Sequence, residues 1–213
     1  MILLPSRGRP VWLARFTTAY LRTKATLPVA VRLDVDDPTY PLYRQLTFPP
    51  NWLVITGERL RTAQTLNELF HTFPNEGCYG LIGDDIVPRT DRWDTLLAGP
   101  AKQGNVVFPE GPLTHLFLSG ELARAAGFIS LPGLKHLYVD TQWAWLGKET
   151  GRFVQLNEVV LEHLHFSTGA PLDDTYKDHF QFSQSDADVF SAWKTFGAAY
   201  LLVDKIRNLR KGA

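Results

Sequence analysis

The sequence predicts one α/β domain spanning 1–213, with a mostly parallel central sheet flanked by helices and a C-terminal helix. Three observations predict it. Short runs rich in β-branched and apolar residues alternate with stretches of helical periodicity. The 213 residues, 45% hydrophobic and 12% aromatic, fill one core and are too few for two ordinary domains. Three of the apolar runs end directly in charged loops, as strands do at the carboxyl edge of an open α/β sheet.

The elements follow in order. Ile2–Leu4 is a short apolar run stopped by Pro5-Ser6-Arg7-Gly8-Arg9-Pro10, and residues 11–24 carry apolar side chains at helical spacing: Trp12, Leu13, Phe16, Ala19 and Tyr20. Val29–Leu33 reads as a second strand that delivers Asp34, Asp36 and Asp37 to a loop before Pro38. Trp52–Ile55 gives a third strand, and Glu58–Phe73 a helix with Leu60, Ala63, Leu66, Leu69 and Phe70 on one side. Cys78–Ile82 is a fourth strand, ending at Gly83-Asp84-Asp85. A helix over 91–98 follows, then strands at Val106–Phe108 and His115–Leu118, and a short helix Gly120–Ala126 closed by Gly127. Thr141–Glu149 reads as a helix starting just after Asp140, and Val159–Leu161 as a strand leading into Glu162-His163-Leu164-His165. After an Asp-rich loop over 171–188, one helix is expected through Val189, Trp193, Phe196, Tyr200, Val203 and Ile206. The core of the domain is expected to span 1–166, with the C-terminal loop and helix occupying 167–213.

Charge narrows the function classes. Lys and Arg total 22, as do Asp and Glu, so the formal net charge is zero, which argues against binding nucleic acid by bulk charge. The distribution is uneven: residues 1–24 carry five basic and no acidic residues, and 205–213 carry four basic and none acidic. Lys205, Arg207, Arg210 and Lys211 are therefore the expected contact if the partner is DNA, and removing them is expected to weaken DNA binding in a salt-dependent way while leaving any chemistry at the strand ends intact. A single cysteine, Cys78, permits no internal disulfide, and no run approaches the about 18–20 apolar residues that span a bilayer. The expected location is the cytoplasm, with no membrane span.

Each chemical motif has a plain structural alternative. The adjacent carboxylates Asp84 and Asp85 are hard oxygen ligands suited to Mn2+ or Mg2+; the alternative is capping of the helix at 91–98. Asp34, Asp36 and Asp37 can hydrogen-bond a nucleoside or simply build a turn. Ser6, Arg7, Gly8 and Arg9 offer a close backbone approach and forked donors to phosphate, but they form neither a GxxxxGK[ST] nor a GxGxxG loop. His163 and His165 lie two apart, so an extended segment presents both on one face, where one can complete a metal shell. Asp140 can cap a helix or act as a general base. Trp143 and Trp145 are expected to point in different directions, one into the core and one toward a cleft.

These segments in this order resemble nucleotide-sugar-dependent glycosyltransferases of the GT-A fold, specifically the compact ones found among phages and prophages. The similarity rests on Leu4–Pro10, Val35–Pro38, Gly83–Asp85, Pro132–Asp140 and Glu162–His165, and covers about residues 2–166. The resemblance implies that Pro5, Ser6, Arg7, Arg9, Asp36, Asp37 and Asp84 bind the nucleotide-diphosphate sugar, a UDP-sugar among the donors expected. It also implies that Asp85 holds the metal with His163 or His165, and that Asp140 is the catalytic base. The sequence has Gly-Asp-Asp where the family has Asp-x-Asp, and Val139 precedes Asp140 where many inverting members have an acidic residue, so the stereochemical outcome stays open. The acceptor hydroxyl expected includes that of a hydroxymethylated pyrimidine in phage DNA, with lipids, surface glycans and proteins equally compatible. Two other readings compete: a non-catalytic nucleotide- or DNA-binding module of the same fold, and a nucleotidyltransferase, whose longer glycine-rich loop is missing from Pro5–Pro10.

Overall fold

The structure is a computed structural model that describes residues 1–164 and 181–209. Among the described residues, seven strands form the main sheet and two more a small ribbon. In chain order they are β1 (Ile2–Ser6), β2 (Val29–Asp34), β3 (Leu53–Gly57), β4 (Cys78–Leu81), β5 (Ile86–Pro88), β6 (Val106–Pro109), β7 (Phe117–Ser119), β8 (Phe153–Leu156) and β9 (Leu161–His163). The helices are α1 (Pro10–Arg22), α2 (Tyr40–Tyr43), α3 (Thr62–Thr72), α4 (Trp93–Lys102), α5 (Gly120–Ala126), α6 (Val139–Thr150), α7 (Ser183–Thr195) and α8 (Ala198–Asn208).

The main sheet runs β3-β2-β1-β4-β7-β6-β8, and the pairs β1–β2, β1–β4, β2–β3 and β6–β8 are parallel. Only β7 runs against its neighbours. This is the α/β, mostly parallel architecture expected from the sequence. Strands buried on both faces explain why Ile2–Leu4 of β1 and Val29–Val31 of β2 read as unbroken apolar runs. Ile2 and Leu4 pack with α1 and α4 on one face, while Leu3 packs with α3, α5, α6 and α8 on the other. Because β1, β2 and β4 are parallel neighbours, the loops 6–9, 34–37 and 82–85 emerge side by side at one edge.

Several boundaries differ from the expectation. The helix expected from Glu58 starts at Thr62, because Gln64 turns back to accept from the Arg61 N–H at 3.0 Å and caps it there. The helix expected after Asp140 starts at Val139, so Asp140 lies inside its first turn, behind Tyr138 in a left-handed conformation (φ 67°). The single C-terminal helix is two, broken at Gly197 (φ 84°), and residues 183–188 of the expected loop belong to α7. The strand at 159–161 begins instead at Leu161, and β5 and β8 are additional, each too short to show periodicity. Trp143 is fully buried and donates to the Ile129 carbonyl at 2.6 Å. Trp145 does not face a cleft; it packs edge-on against Trp193 and Tyr200, tying α6 to α7 and α8.

The C-terminal basic group is also partly structural. Arg207 donates to the Glu149 carbonyl at 2.5 Å, and the adjacent Ile206 is fully buried and accepts from Arg152 at 2.9 Å. Removing this segment therefore also strips core contacts of Ile206. Arg210, Lys211, His165 and residues 171–180 of the expected loop lie outside the described residues.

Candidate functional site

A cleft of about 1100 Å³ opens at the edge where β1, β2 and β4 end. Pro5, Ser6, Arg7, Arg9, Asp37, Asp84, Asp85, Asp140 and His163 all line it. Asp36 is not part of that lining: its side chain is 51% exposed and pairs with Arg7 at 2.6 Å, which holds its carboxyl below the ordinary aspartate range.

The three loops are wired together by short polar contacts. Asp37 is buried and accepts from the Gly8 N–H at 2.6 Å and from the Thr39 N–H and hydroxyl at 2.8 Å. That bond fixes the loop after β1 against the loop after β2. Arg7 also reaches Asp34 at 3.0 Å, and Arg32, buried within β2, holds the same carboxylate from the other side at 3.1 Å. Gly57 makes room for that arginine, since a Cβ there would sit 2.6 Å from the Arg32 guanidinium.

Asp84 and Asp85 are both buried and neither caps a helix; α4 begins behind Arg92 instead. Ser6 donates to Asp84 at 2.6 Å, and its oxygen lies 2.9 Å from the Tyr43 hydroxyl. With the Ser6 proton committed to Asp84, Tyr43 is the donor in that pair, while its own oxygen accepts from the Arg9 N–H at 2.9 Å. Burial keeps the Tyr43 phenol well above its ordinary range, so it stays a donor. Arg9, itself 6% exposed, bridges Asp84 at 3.3 Å and Asp85 at 3.2 Å. Burial first, and the neighbouring Asp85 second, push the Asp84 carboxyl upward; Arg9 and Ser6 oppose that shift.

Asp85 faces two histidines. His163 Nε2 lies 3.4 Å from its Oδ2 and His115 Nε2 lies 3.9 Å from its Oδ1, with the two imidazole rings 4.7 Å apart and edge-on. One ligand atom from each of the three residues falls within 4.8 Å of the others, an arrangement that fits one divalent cation. Gly83 clears the space, because a Cβ there would come within 2.6 Å of Asp85 Oδ1 and 3.1 Å of His115 Nε2. The β5–β9 ribbon delivers His163, which pairs with Ile86, while the Leu164 N–H donates to the Asp85 carbonyl at 2.9 Å.

His115 is the one member of this cluster that the sequence did not single out. It read as the first residue of a strand, but it stands just before β7 with φ 56°. Its partner is set by the antiparallel β4–β7 register, Gly80 opposite Phe117, which carries the start of β7 back to the end of β4. An antiparallel strand would have signalled this, yet periodicity does not reveal strand direction.

Asp140 sits across the cleft on the first turn of α6, accepting from the Thr141 N–H at 2.7 Å, and burial pushes its carboxyl upward. The loop before it is anchored from three sides. Asp186, fully buried on α7, accepts from the N–H groups of Lys135, His136 and Leu137 at 2.8–2.9 Å. His136 Nδ1 lies 2.8 Å from the Thr62 hydroxyl, and the Lys135 carbonyl accepts from the Ala63 N–H at 3.1 Å.

No family model matches the sequence, and a comparison with curated proteins gives no match. Solved structures do match. The mannosyltransferase PcManGT from Pyrobaculum calidifontis, solved in complex with GDP-Man and Mn2+, superimposes with a TM-score of 0.64 at 14% identity, covering 98% of this chain and 68% of that one. TarS from S. aureus matches with a TM-score of 0.54 at 13% identity over 88% of this chain and 44% of its own, so the chain spans less than half the length of TarS. At these identities the likeness establishes a shared fold: the chain has the α/β architecture of a mannosyltransferase solved with a nucleotide sugar and Mn2+.

Proposed function

We propose that this chain is a metal-dependent glycosyltransferase that moves a sugar from a nucleotide-diphosphate donor to an acceptor hydroxyl. The observation that carries the reading is the convergence of Asp85, His115 and His163 at the edge where β1, β2 and β4 end, inside a cleft large enough for a nucleotide sugar. The shared fold with a mannosyltransferase solved with GDP-Man and Mn2+ supports it.

Two imidazoles beside one carboxylate suit Mn2+ better than Mg2+, which prefers oxygen ligands and bound water. Bound there, the cation supplies charge stabilisation for the departing diphosphate. The remaining work falls to the chain. Arg9 offsets the paired charge of Asp84 and Asp85. Ser6 and Tyr43 hold Asp84 in place by their hydroxyl relay. Arg7, Asp34 and Asp37 shape the wall on which the nucleoside lies. Asp140 takes the proton from the acceptor oxygen as it attacks the anomeric carbon, and its upward-shifted carboxyl is a better base than an ordinary aspartate.

A panel of UDP-, GDP- and dTDP-sugars with Mn2+ tests the reading through release of nucleoside diphosphate. At least one donor is expected to turn over, to stop with a chelator, and to slow on the order of 100-fold or more in Asp85→Ala. Binding of a nucleotide with no turnover of any donor would favour the non-catalytic module; pyrophosphate release from a nucleoside triphosphate and a sugar phosphate would favour the nucleotidyltransferase. Mass spectrometry of hydroxymethylated DNA, glycan, lipid and protein acceptors then assigns the hydroxyl, with modified DNA as one arm of that panel.

A further inference from the structure

Residues 1–24 carry five basic side chains, and of these only Arg7 and Arg9 line the cleft at the strand ends. Lys24 is paired with Asp91 at 2.8 Å. The other two, Arg15 and Arg22, lie on the outer face of α1 and line a separate groove of about 360 Å³ with Thr18, Arg89 and Leu164. The groove takes side chains from α1 on one wall and from the β5–β9 ribbon on the other.

Among the described residues, three arginines line this groove and no carboxylate does. Arg89 is paired with Glu162, whose side chain is half exposed, leaving an excess of two positive charges from the four residues. Arg22 spends one N–H on the Pro88 carbonyl at 3.0 Å. Arg15 makes no hydrogen bond or ion pair to the described residues; its guanidinium lies 5.5 Å from the centre of the Trp12 ring, which holds it in place without using its donors. The Thr18 hydroxyl donates to the Ala14 carbonyl at 3.0 Å, so the donor set for a tetrahedral oxyanion is the Arg15 fork with the remaining N–H groups of Arg22 and Arg89.

We propose that this groove is a second anion site that binds a soluble phosphate or diphosphate, apart from the donor cleft. It lies behind the metal triad: His163 lines the cleft while the next residue, Leu164, lines the groove, as successive residues of an extended segment do. The inference goes beyond the glycosyltransferase reading and does not depend on it, since the arginines that carry it contact none of the triad.

The test is an NMR titration of the full chain with sodium pyrophosphate in metal-free buffer at constant ionic strength. The amides of Thr18, Ala19 and Leu164 are expected to shift saturably, and Arg15→Gln is expected to raise their midpoint at least fivefold while leaving shifts at Gly8 and Gly83, in the donor cleft, unchanged. Arg15→Gln removes no hydrogen bond within the described fold, so its spectrum otherwise overlays the parent's. Arg22→Gln serves as a second variant with the same expected direction. Shifts confined to the cleft amides, the same groove shifts with sodium chloride, or an unchanged midpoint in both variants would each overturn the proposal. Donor turnover in the assay above is scored separately, so either reading can fail without the other.

Discussion

His115 sits in the left-handed region at φ 56°, a conformation that disfavours any residue with a Cβ by about 1 kcal/mol or more. Strain of that kind is retained where a side chain is needed in a particular direction, and here it aims Nε2 at Asp85. His115→Gly should therefore leave urea stability unchanged or raise it by up to ~1 kcal/mol while lowering Mn2+ affinity at least tenfold. A stability loss above ~1 kcal/mol with unchanged metal affinity would make His115 a packing residue. Cys78 gives a second residue-scale expectation. It is fully buried in β4, and burial pushes its thiol pKa up, so both access and ionisation oppose reaction. A thiol reagent at pH 8 should label it only after denaturation; rapid labelling of the native protein would contradict its placement in the core.

At the scale of elements, α7 supports the cleft rather than trailing behind it. Asp186 on α7 satisfies three consecutive N–H groups of the loop that leads to Asp140. Leaving buried donors without an acceptor costs about 1–3 kcal/mol each, so Asp186→Ala should lose at least ~2 kcal/mol in urea unfolding even after water partly enters. A change below ~0.5 kcal/mol would show the loop to be held elsewhere. The sequence made most elements legible because the strands of a parallel sheet are continuous apolar runs and α1, α3 and α5 carry clear periodicity or end signals. It placed Asp186 in a loop because an acidic residue near Ser and Gln reads as solvent-facing until its three partners are known. The break at Gly197 lies within an apolar pattern that continues across it, and β5, β8 and β9 are three or four residues long.

Over the whole molecule, the site draws on segments from Pro5 to Ser183, which the sheet order brings together. Ser6, Arg9, Asp84, Asp85 and His163 were legible because each stands directly after or within a short strand, and a parallel sheet collects strand ends on one edge. His115 was not, because its position depends on one antiparallel strand. The zero net charge resolves into opposed local fields: arginines of the first segment face the acidic strand ends, and the remaining arginines of α1 face outward. The assignment of Asp140 carries a pH expectation. A base must be ionised, and burial raises this carboxyl, so kcat/KM should fall as pH drops, with a midpoint above the ordinary aspartate value of about 3.9. Asp140→Asn should remove turnover at every pH; retention of an unshifted acid limb in that variant would assign the limb to another group.

Asp85, His115 and His163 are the proposed ligands of one divalent cation in the cleft. Electron paramagnetic resonance titration of Mn2+, with the nucleoside diphosphate of the active donor present, reads this directly. The account expects one Mn2+ bound per chain, with affinity reduced at least tenfold in His115→Ala and in His163→Ala, both variants folded by circular dichroism. Equal Mn2+ affinity in the parent and in a His115→Ala, His163→Ala double variant would contradict it.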